Sequence, residues 1–291
     1  MSSKTLCQHL AEYVVALQPQ ALPGEVIEKA KAIVLHNLAI SFGGIGTDQV
    51  NKALELAEPR RDGATLVGQP YKAAAAEAAF ANTVAMRALR MEDMVLPSFC
   101  HPGACLVPTA LALAEQNAAS GAEMLAAIAI GYDVIGKVAG SNYTWITSKR
   151  TPSHIFNSLG VAATAARLMR LDVEQTAGAL AHACNLGAMI TEDFQDFQYG
   201  ILTHNGMFAA RLGECRAPFP TDALEGSNGL YAVQLGGIRP TTQEILGTLG
   251  TPYEILSAVL KPYPADLMTS YAVSSRVNSP GNDDPAIIKP A

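Results

Sequence analysis

The feature of this sequence that most limits its possible folds is a long succession of apolar segments with helical periodicity. Near the N-terminus, Leu6, Leu10, Val14 and Leu17 repeat at the three- and four-residue spacing of one helix face. Similar patterns predict helices at 4–18, 23–43, 48–57, 73–91, 104–117, 121–140, 154–169, 173–189, 204–215, 222–226 and 241–248. Only 64–68 and 231–237 have the pattern of strands. We therefore predict an all-α fold class, in which helices of ordinary length form a globular bundle.

Composition favours closely packed helices and limits the class of partner. Hydrophobic residues make up 49% of the chain and aromatic residues only 6%, so Ala, Leu, Val and Ile supply most of the apolar volume. The net charge of −6 is dispersed, and no run of basic residues occurs. We therefore predict that neither nucleic acid nor a membrane is a partner of this protein.

The N-terminal residues and the cysteines predict a cytoplasmic protein. The first twenty residues contain Glu12 within a helical pattern, unlike a signal peptide or an Arg-rich transit peptide. The apolar window at 124–140 is interrupted by Asp133 and Lys137, so it is too short and too charged for a membrane span. The five cysteines are scattered and odd in number, which is typical of reduced thiols.

The residue composition changes near the C-terminal end of the sequence. Beyond about residue 262 the chain is rich in Ser, Pro, Asn and Asp, without a periodic apolar face. We therefore predict a helical domain at 1–270 and a polar, poorly ordered tail at 271–291.

One short segment, residues 91–105 (MEDMVLPSFCHPGAC), combines acidic residues with a histidine beside a break in the helical pattern. Pro102 and Gly103 place His101 at the entrance of the next predicted helix, where loop residues often meet a ligand. Glu92 and Asp93 follow the preceding predicted helix at its C-terminal end, which is unfavourable for an anion. Capping therefore does not explain the two acids, and this favours a functional role.

A second histidine has a similar setting, whereas the remaining polar motifs are less informative. His154 lies where the helix predicted at 154–169 begins, shortly after Lys149 and Arg150. These two cations could attract an anionic substrate, although adjacent bases on a loop are more often simply solvated. His182 lies inside a predicted helix and is expected to be satisfied by a neighbour.

The sequence predicts neither a metal site nor a nucleotide site. Cys100, His101 and Cys105 do not have the spacing of a tight zinc-ligand pair, and no matching second pair follows. A Gly-rich phosphate loop and a G-x-S-x-G elbow are also absent from the sequence.

The order of these segments resembles the MmgE/PrpD family, which includes 2-methylcitrate dehydratase and cis-aconitate decarboxylase. The resemblance rests on LPGEVIEKAKAIVLHNLAISFGG, GATLVG, AAFANTVAMRALRMED, the segment that begins HPGACLVP and the segment that begins TPSHIFNSLG. LEGSNGLY at 224–231 and KPYPADLMTSYAV at 261–273 extend it, so it covers residues 4–270.

The resemblance implies an architecture and a type of chemistry. Family members have a large all-helical domain, usually dimeric, and a smaller α/β lid domain, with the active site between them and no cofactor. They act on small di- and tricarboxylates by proton transfer next to a carboxylate. The resemblance therefore implies a small carboxylic acid as substrate, a homodimer, and no cofactor or metal.

Carried over by position, the resemblance implies roles for individual residues. His154 and His101 correspond to proton-handling histidines, and Glu92 and Asp93 to an acidic pair that orients His101 or a substrate hydroxyl. Lys261 corresponds to the lysine that opens the KPYP segment. The implied substrate-binding set is Lys261, Arg150, Lys149, His204 and Asp266.

Four departures from the family pattern accompany these matches. Arg90 or Met91 stands at the first aspartate position of the acidic segment, and Ile201 stands where the family commonly has a lysine ahead of the residue corresponding to His204. Asp266 stands where a histidine is expected. A polar tail follows the KPYP segment, so we expect little or no α/β lid domain.

Three functions are compatible with this pattern. The first is a cofactor-free lyase, a dehydratase or decarboxylase of a citrate-like or alkylcitrate-like acid. The second is a cofactor-free isomerase or cyclase of a larger, less charged substrate in biosynthesis, which the departures favour. The third is a non-catalytic helical partner protein, against which the retained polar residues argue.

Overall fold

Helices dominate the structure, a computed structural model that describes residues 4–96, 98–140, 153–187, 195–237 and 239–260. The described α-helices are α1 (Leu6–Ala16), α2 (Gly24–Gly44), α3 (Asp48–Glu55), α4 (Ala75–Arg87), α5 (Gly103–Asn117), α6 (Gly121–Ala139), α7 (Asn157–Leu168), α8 (Val173–Leu186), α9 (Gln195–Glu214), α10 (Leu230–Leu235) and α11 (Thr242–Thr248). Short 3-10 turns occur at Pro19–Ala21, Ser153–Phe156 and Glu254–Ser257. The predicted all-α fold class is confirmed.

Several helices begin at capping boxes that the sequence specifies locally. The Ser120 hydroxyl accepts a hydrogen bond of 3.2 Å from the backbone N–H of Glu123, and the Glu123 carboxylate accepts one of 2.8 Å from the backbone N–H of Ser120. Two backbone N–H groups that lack a helical partner are thereby satisfied. Asp172 and Thr241 begin α8 and α11 in the same way.

Small residues allow the central helices to approach one another closely. Helix α9 packs against α8, α7 and α4, and α6 packs against α7. At the crossing of α6 and α7, a Cβ atom added to Gly160 would lie 2.4 Å from Ile135 and 2.8 Å from the carbonyl oxygen of Gly131. Only glycine fits there without displacing the neighbouring helix.

Strands are few and short in the described residues. Strands β1 (Ala64–Thr65) and β2 (Lys72–Ala73) pair antiparallel, as do β3 (Met94–Val95) and β4 (Ala258–Val259). In the second pair, Met94 faces Val259 and Val95 faces Ala258. This pairing joins the segment at 91–103 to the end of the described chain.

Some predicted elements were wrong. The segment predicted as a strand at 231–237 lies largely in α10, and 222–226 forms turns rather than a helix. Helix α9 begins at Gln195 rather than at 204, and α4 ends at Arg87 rather than at 91. The chain leaves α4 near Arg90, which has a positive φ of 52°.

The described residues up to Leu260 belong to one compact unit. Residues 261–291 lie outside the described residues, so the boundary at 270 and the polar tail remain predictions. Among the described helices, none combines the length and the apolar character needed to cross a membrane.

Candidate active site

Glu92 and Asp93 lie in the connection between α4 and β3, and not in the last turn of a helix. The unfavourable helix-end position expected from the sequence is therefore wrong, because α4 ends five residues before Glu92. Both acids are buried all the same. Their burial requires compensating partners, and the partners of the two acids are different.

Glu92 is held by a cation and faces a histidine. Its Oε1 atom forms an ion pair with Nη1 of Arg87, and the two side chains are only 1% and 5% exposed. The same oxygen lies 3.3 Å from Nδ1 of His101, whose side chain is 24% exposed. Glu92 thus places a buried negative charge beside the partly accessible imidazole.

The tautomer of His101 follows from its main-chain neighbour. Nδ1 of His101 lies 3.0 Å from the backbone carbonyl oxygen of Asp93, which can only accept a hydrogen bond. Nδ1 therefore carries a proton, and Nε2 is the nitrogen that holds the lone pair in the neutral ring. This arrangement suits Nε2 for proton transfer.

The carboxylate of Asp93 points into the core. Its Oδ1 accepts a hydrogen bond of 3.2 Å from Nδ2 of Asn37, and its Oδ2 accepts one of 2.5 Å from the Tyr132 hydroxyl. The backbone N–H of Gly103 also donates to it. Burial raises the pKa of Asp93, and the hydrogen bonds from Tyr132, Asn37 and Gly103 oppose that rise.

His154 lies beside an aromatic ring that helix α9 contributes, that of Tyr199. Its imidazole centroid is 5.1 Å from that of Tyr199, and the centroid of His101 is 6.4 Å from the same ring. The guanidinium carbon of Arg87 lies 4.2 Å from the ring centroid of Tyr199, in cation–π geometry. Tyr199 therefore contacts both histidines and the cation that holds Glu92.

The surroundings of His154 disfavour its protonated form. Burial, followed by the positive charges of Arg87 and His101, lowers the pKa of His154 to about 3, so this imidazole is neutral at physiological pH. Its buried Nε2 has no hydrogen-bond partner among the described residues. A neutral buried imidazole and a second one beside a carboxylate are groups of the kind that can accept and donate a proton.

The remaining predicted site residues lie elsewhere. His204 is exposed on α9 and lines a cavity of about 430 Å³ together with Phe208 and Arg211, and Ile201 is exposed on the same helix. The structure does not bring His204 into the cluster of His101 and His154. The other four residues predicted to bind substrate lie outside the described residues: Lys149, Arg150, Lys261 and Asp266.

Sequence reasoning missed several residues of this cluster. Arg87 resembles an ordinary cation in the last turn of an Ala-rich helix, and Tyr199 precedes the predicted start of its helix at 204. Asn37 and Tyr132 lie in helices far from the acidic segment in sequence. The one available signal was Asn37, a polar residue on the buried face of an apolar helix.

No group of three or more His, Cys, Asp or Glu side chains within the described ranges is arranged to hold a metal ion. The five cysteines are all free thiols.

Comparison with known proteins gives concordant matches. Residues 8–243 match the model of the MmgE/PrpD N-terminal domain. The chain is similar to the cis-aconitate decarboxylase-like protein oryM of Aspergillus oryzae, with 24% identity over 220 residues that cover 70% of this chain and 45% of that protein. It is also similar to the cis-aconitate decarboxylases of Mus musculus (26% identity, 94% of this chain and 59% of that protein) and Homo sapiens (27%, 94% and 60%). The chain thus spans less than two thirds of the length of these relatives.

Proposed function

Because this chain belongs to the MmgE/PrpD family, we propose that it is a cofactor-free lyase that decarboxylates or dehydrates a citrate-like or alkylcitrate-like acid. The observation that carries the proposal is the pairing of His101, held through Nδ1, with the buried neutral His154 around Tyr199. The relatives named as cis-aconitate decarboxylases support a lyase reaction on a small carboxylic acid.

Decarboxylation requires a group that donates a proton to the carbon on which the electron pair remains. When the bond to one carboxylate breaks, CO₂ leaves and the electron pair stays on a carbon that is conjugated with a second carboxylate. Protonated His101, whose Nδ1 lies 3.3 Å from Oε1 of Glu92, would deliver a proton from Nε2 to that carbon. His101 recovers its proton from solvent, to which its side chain is partly exposed.

Dehydration would use both histidines, one as a base and one as an acid. His154 would accept the proton on the carbon next to a carboxylate, and His101 would protonate the leaving hydroxyl group. A bound carboxylate beside His154 would favour its protonated form and so raise its basicity during the reaction.

Substrate binding completes the proposal. Lys149, Arg150 and Lys261 would pair with substrate carboxylates, and His204 and Asp266 are the further candidates for substrate contact. Arg87 is a weaker candidate because Glu92 already holds it. The proposal includes that the protein is a homodimer and that it is located in the cytoplasm.

The test is ¹H NMR in deuterated buffer with citrate, 2-methylcitrate, cis-aconitate and longer alkylcitrates. We expect the wild type to release CO₂ or water from one of these acids, and His101→Gln and His154→Gln to lower the rate roughly 100-fold. His182→Gln is the matched control, since His182 lies on α8 with its Nε2 3.4 Å from the carbonyl oxygen of Ala217. Its rate is expected to equal that of the wild type.

The same spectra separate the alternatives. Deuterium exchange into an acid without loss of CO₂ or water would replace the lyase with an isomerase. Full activity in folded His101→Gln or His154→Gln would exclude these histidines from the chemistry. Absence of turnover and exchange with every acid would contradict the proposed substrate class and favour the non-catalytic partner.

A further inference from the structure

We propose that Tyr132 and Asn37 are positioning residues, which fix the tautomer and orientation of His101 by clamping Asp93. The proposal deepens the proposed function and rests on it only for the consequence in catalysis. In this proposal, the Asp93 carboxylate helps to position His101 and does not contact the substrate.

The clamp is a set of short contacts on one buried side chain. The Tyr132 hydroxyl donates to Oδ2 of Asp93 at 2.5 Å, and Nδ2 of Asn37 donates to Oδ1 at 3.2 Å and also to the carbonyl oxygen of Ile33 at 3.0 Å. Asn37, Asp93 and Tyr132 are all fully buried. A buried carboxylate with both oxygens satisfied has little freedom to turn toward a ligand.

The donors lie on separate, packed helices. Asn37 lies on α2 and Tyr132 on α6, and these helices pack against each other. Asp93 therefore joins the segment at 91–103 to two elements of the helical core. Such elements position a functional group more accurately than a loop alone does.

The clamp also fixes the far end of the same segment. The backbone N–H of Gly103, the first residue of α5, donates to the Asp93 carboxylate. A Cβ atom at Gly103 would lie 1.9 Å from Oδ1 of Asp93 and 2.6 Å from Nδ2 of Asn37. Both ends of the segment that carries His101 are thus held against one carboxylate.

The clamped residue is also the one that orients His101. The backbone carbonyl oxygen of Asp93 lies 3.0 Å from Nδ1 of His101, so movement of Asp93 changes this hydrogen bond directly. A neutral imidazole that loses such an acceptor at Nδ1 can place its proton on Nε2, the nitrogen needed for proton transfer.

Other charged or titratable groups also face His101. Oε1 of Glu92 lies 3.3 Å from Nδ1, and the centroid of the Tyr199 ring lies 6.4 Å from that of the imidazole. Arg87 and His154 contact the Tyr199 ring. None of these groups is altered when the Tyr132 hydroxyl is removed. A change at His101 in that variant therefore reports on the clamp.

The test is ¹⁵N NMR of histidine-labelled protein, with His101 assigned from its absence in His101→Gln. We expect the wild type to hold the proton of neutral His101 on Nδ1, and Tyr132→Phe to shift the population toward Nε2–H. Tyr13→Phe is the matched control, because the Tyr13 hydroxyl donates at 2.6 Å to Asp133, another buried carboxylate. It should leave the His101 signals unchanged.

A second variant keeps the test decisive if Tyr132→Phe does not fold. Asn37→Ala removes the other side-chain donor and should shift the tautomer in the same direction. Wild-type His101 signals in either folded variant would overturn the proposal.

Kinetics separate this proposal from the proposed function. With an acid that the wild type converts, we expect Tyr132→Phe to lower kcat roughly tenfold at unchanged KM and to alter the pH profile of kcat/KM. If Tyr132→Phe shifts the His101 tautomer but the wild type converts none of the acids, the clamp is supported and only the proposed reaction is contradicted. Unchanged kcat, KM and pH profile would overturn the catalytic consequence of the clamp.

Discussion

Removing the charge of Glu92 should destabilise the protein strongly, because its partner Arg87 stays buried. The two side chains are 1% and 5% exposed, and the guanidinium also packs on the ring of Tyr199. Glu92→Gln keeps the shape but leaves a buried cation without its carboxylate. Such a loss costs roughly 3–5 kcal/mol, which corresponds to a fall in Tm of about 10 °C for a chain of this size.

A double variant tests whether the uncompensated charge is the cause. Arg87→Met combined with Glu92→Gln removes both charges, so we expect it to regain most of the stability lost in Glu92→Gln. Thermal and urea unfolding at pH 7 provide the measurement. Glu28→Gln is the control, since Glu28 forms an exposed ion pair with Lys31 at 2.7 Å and should change Tm little. Strict additivity of the two buried substitutions, or a wild-type Tm for Glu92→Gln, would refute this reasoning.

Three further predictions concern packing and pH. Gly103→Ala should destabilise the protein by about 2 kcal/mol in urea unfolding, since its Cβ would meet Asp93, whereas Gly121→Ala, with no atom within 4 Å, should not. Burial raises the pKa of Asp133 from 3.8 to about 6, so the native state binds this proton more tightly, and the resulting stability, present at pH 4, is lost as pH rises through about 6. Urea unfolding of Asp133→Asn, measured as a function of pH, should lack this decline in stability. The lowered pKa of His154, about 3, changes stability with pH in the opposite direction. Stability that is present above pH 6.5 is lost as pH falls toward 3. His154→Gln should reduce that loss, measured by urea unfolding across the same pH range.

Features specified by neighbouring residues could be predicted from the sequence. Pro102 and Gly103 indicated that His101 precedes a helix, and α5 does begin at Gly103. Ser120 and Glu123 specified the start of α6 through a capping box. In each case the physical cause lies within one helical turn of the residue concerned, so a short window of sequence contains it.

Features that depend on distant helices could not be predicted in this way. Arg87 becomes part of the site only because α4 ends beside Glu92 and α9 brings Tyr199 over the guanidinium. The segment at 231–237 has a strand-like composition, but its residues Tyr231 and Leu235 are buried together with Leu230 on α10. Tertiary packing outweighs the weak intrinsic preference of a short apolar segment.

The antiparallel pairing of β3 with β4 also bears on the order in which the chain folds. Val95 faces Ala258, so the segment beside Glu92 and Asp93 is paired with residues that are synthesised much later. A contact between residues so distant in sequence carries a high loop-closure cost and raises the contact order of the site. During synthesis, the helices before residue 258 can pack first, while the segment at 91–103 gains its last strand partner only when β4 emerges from the ribosome.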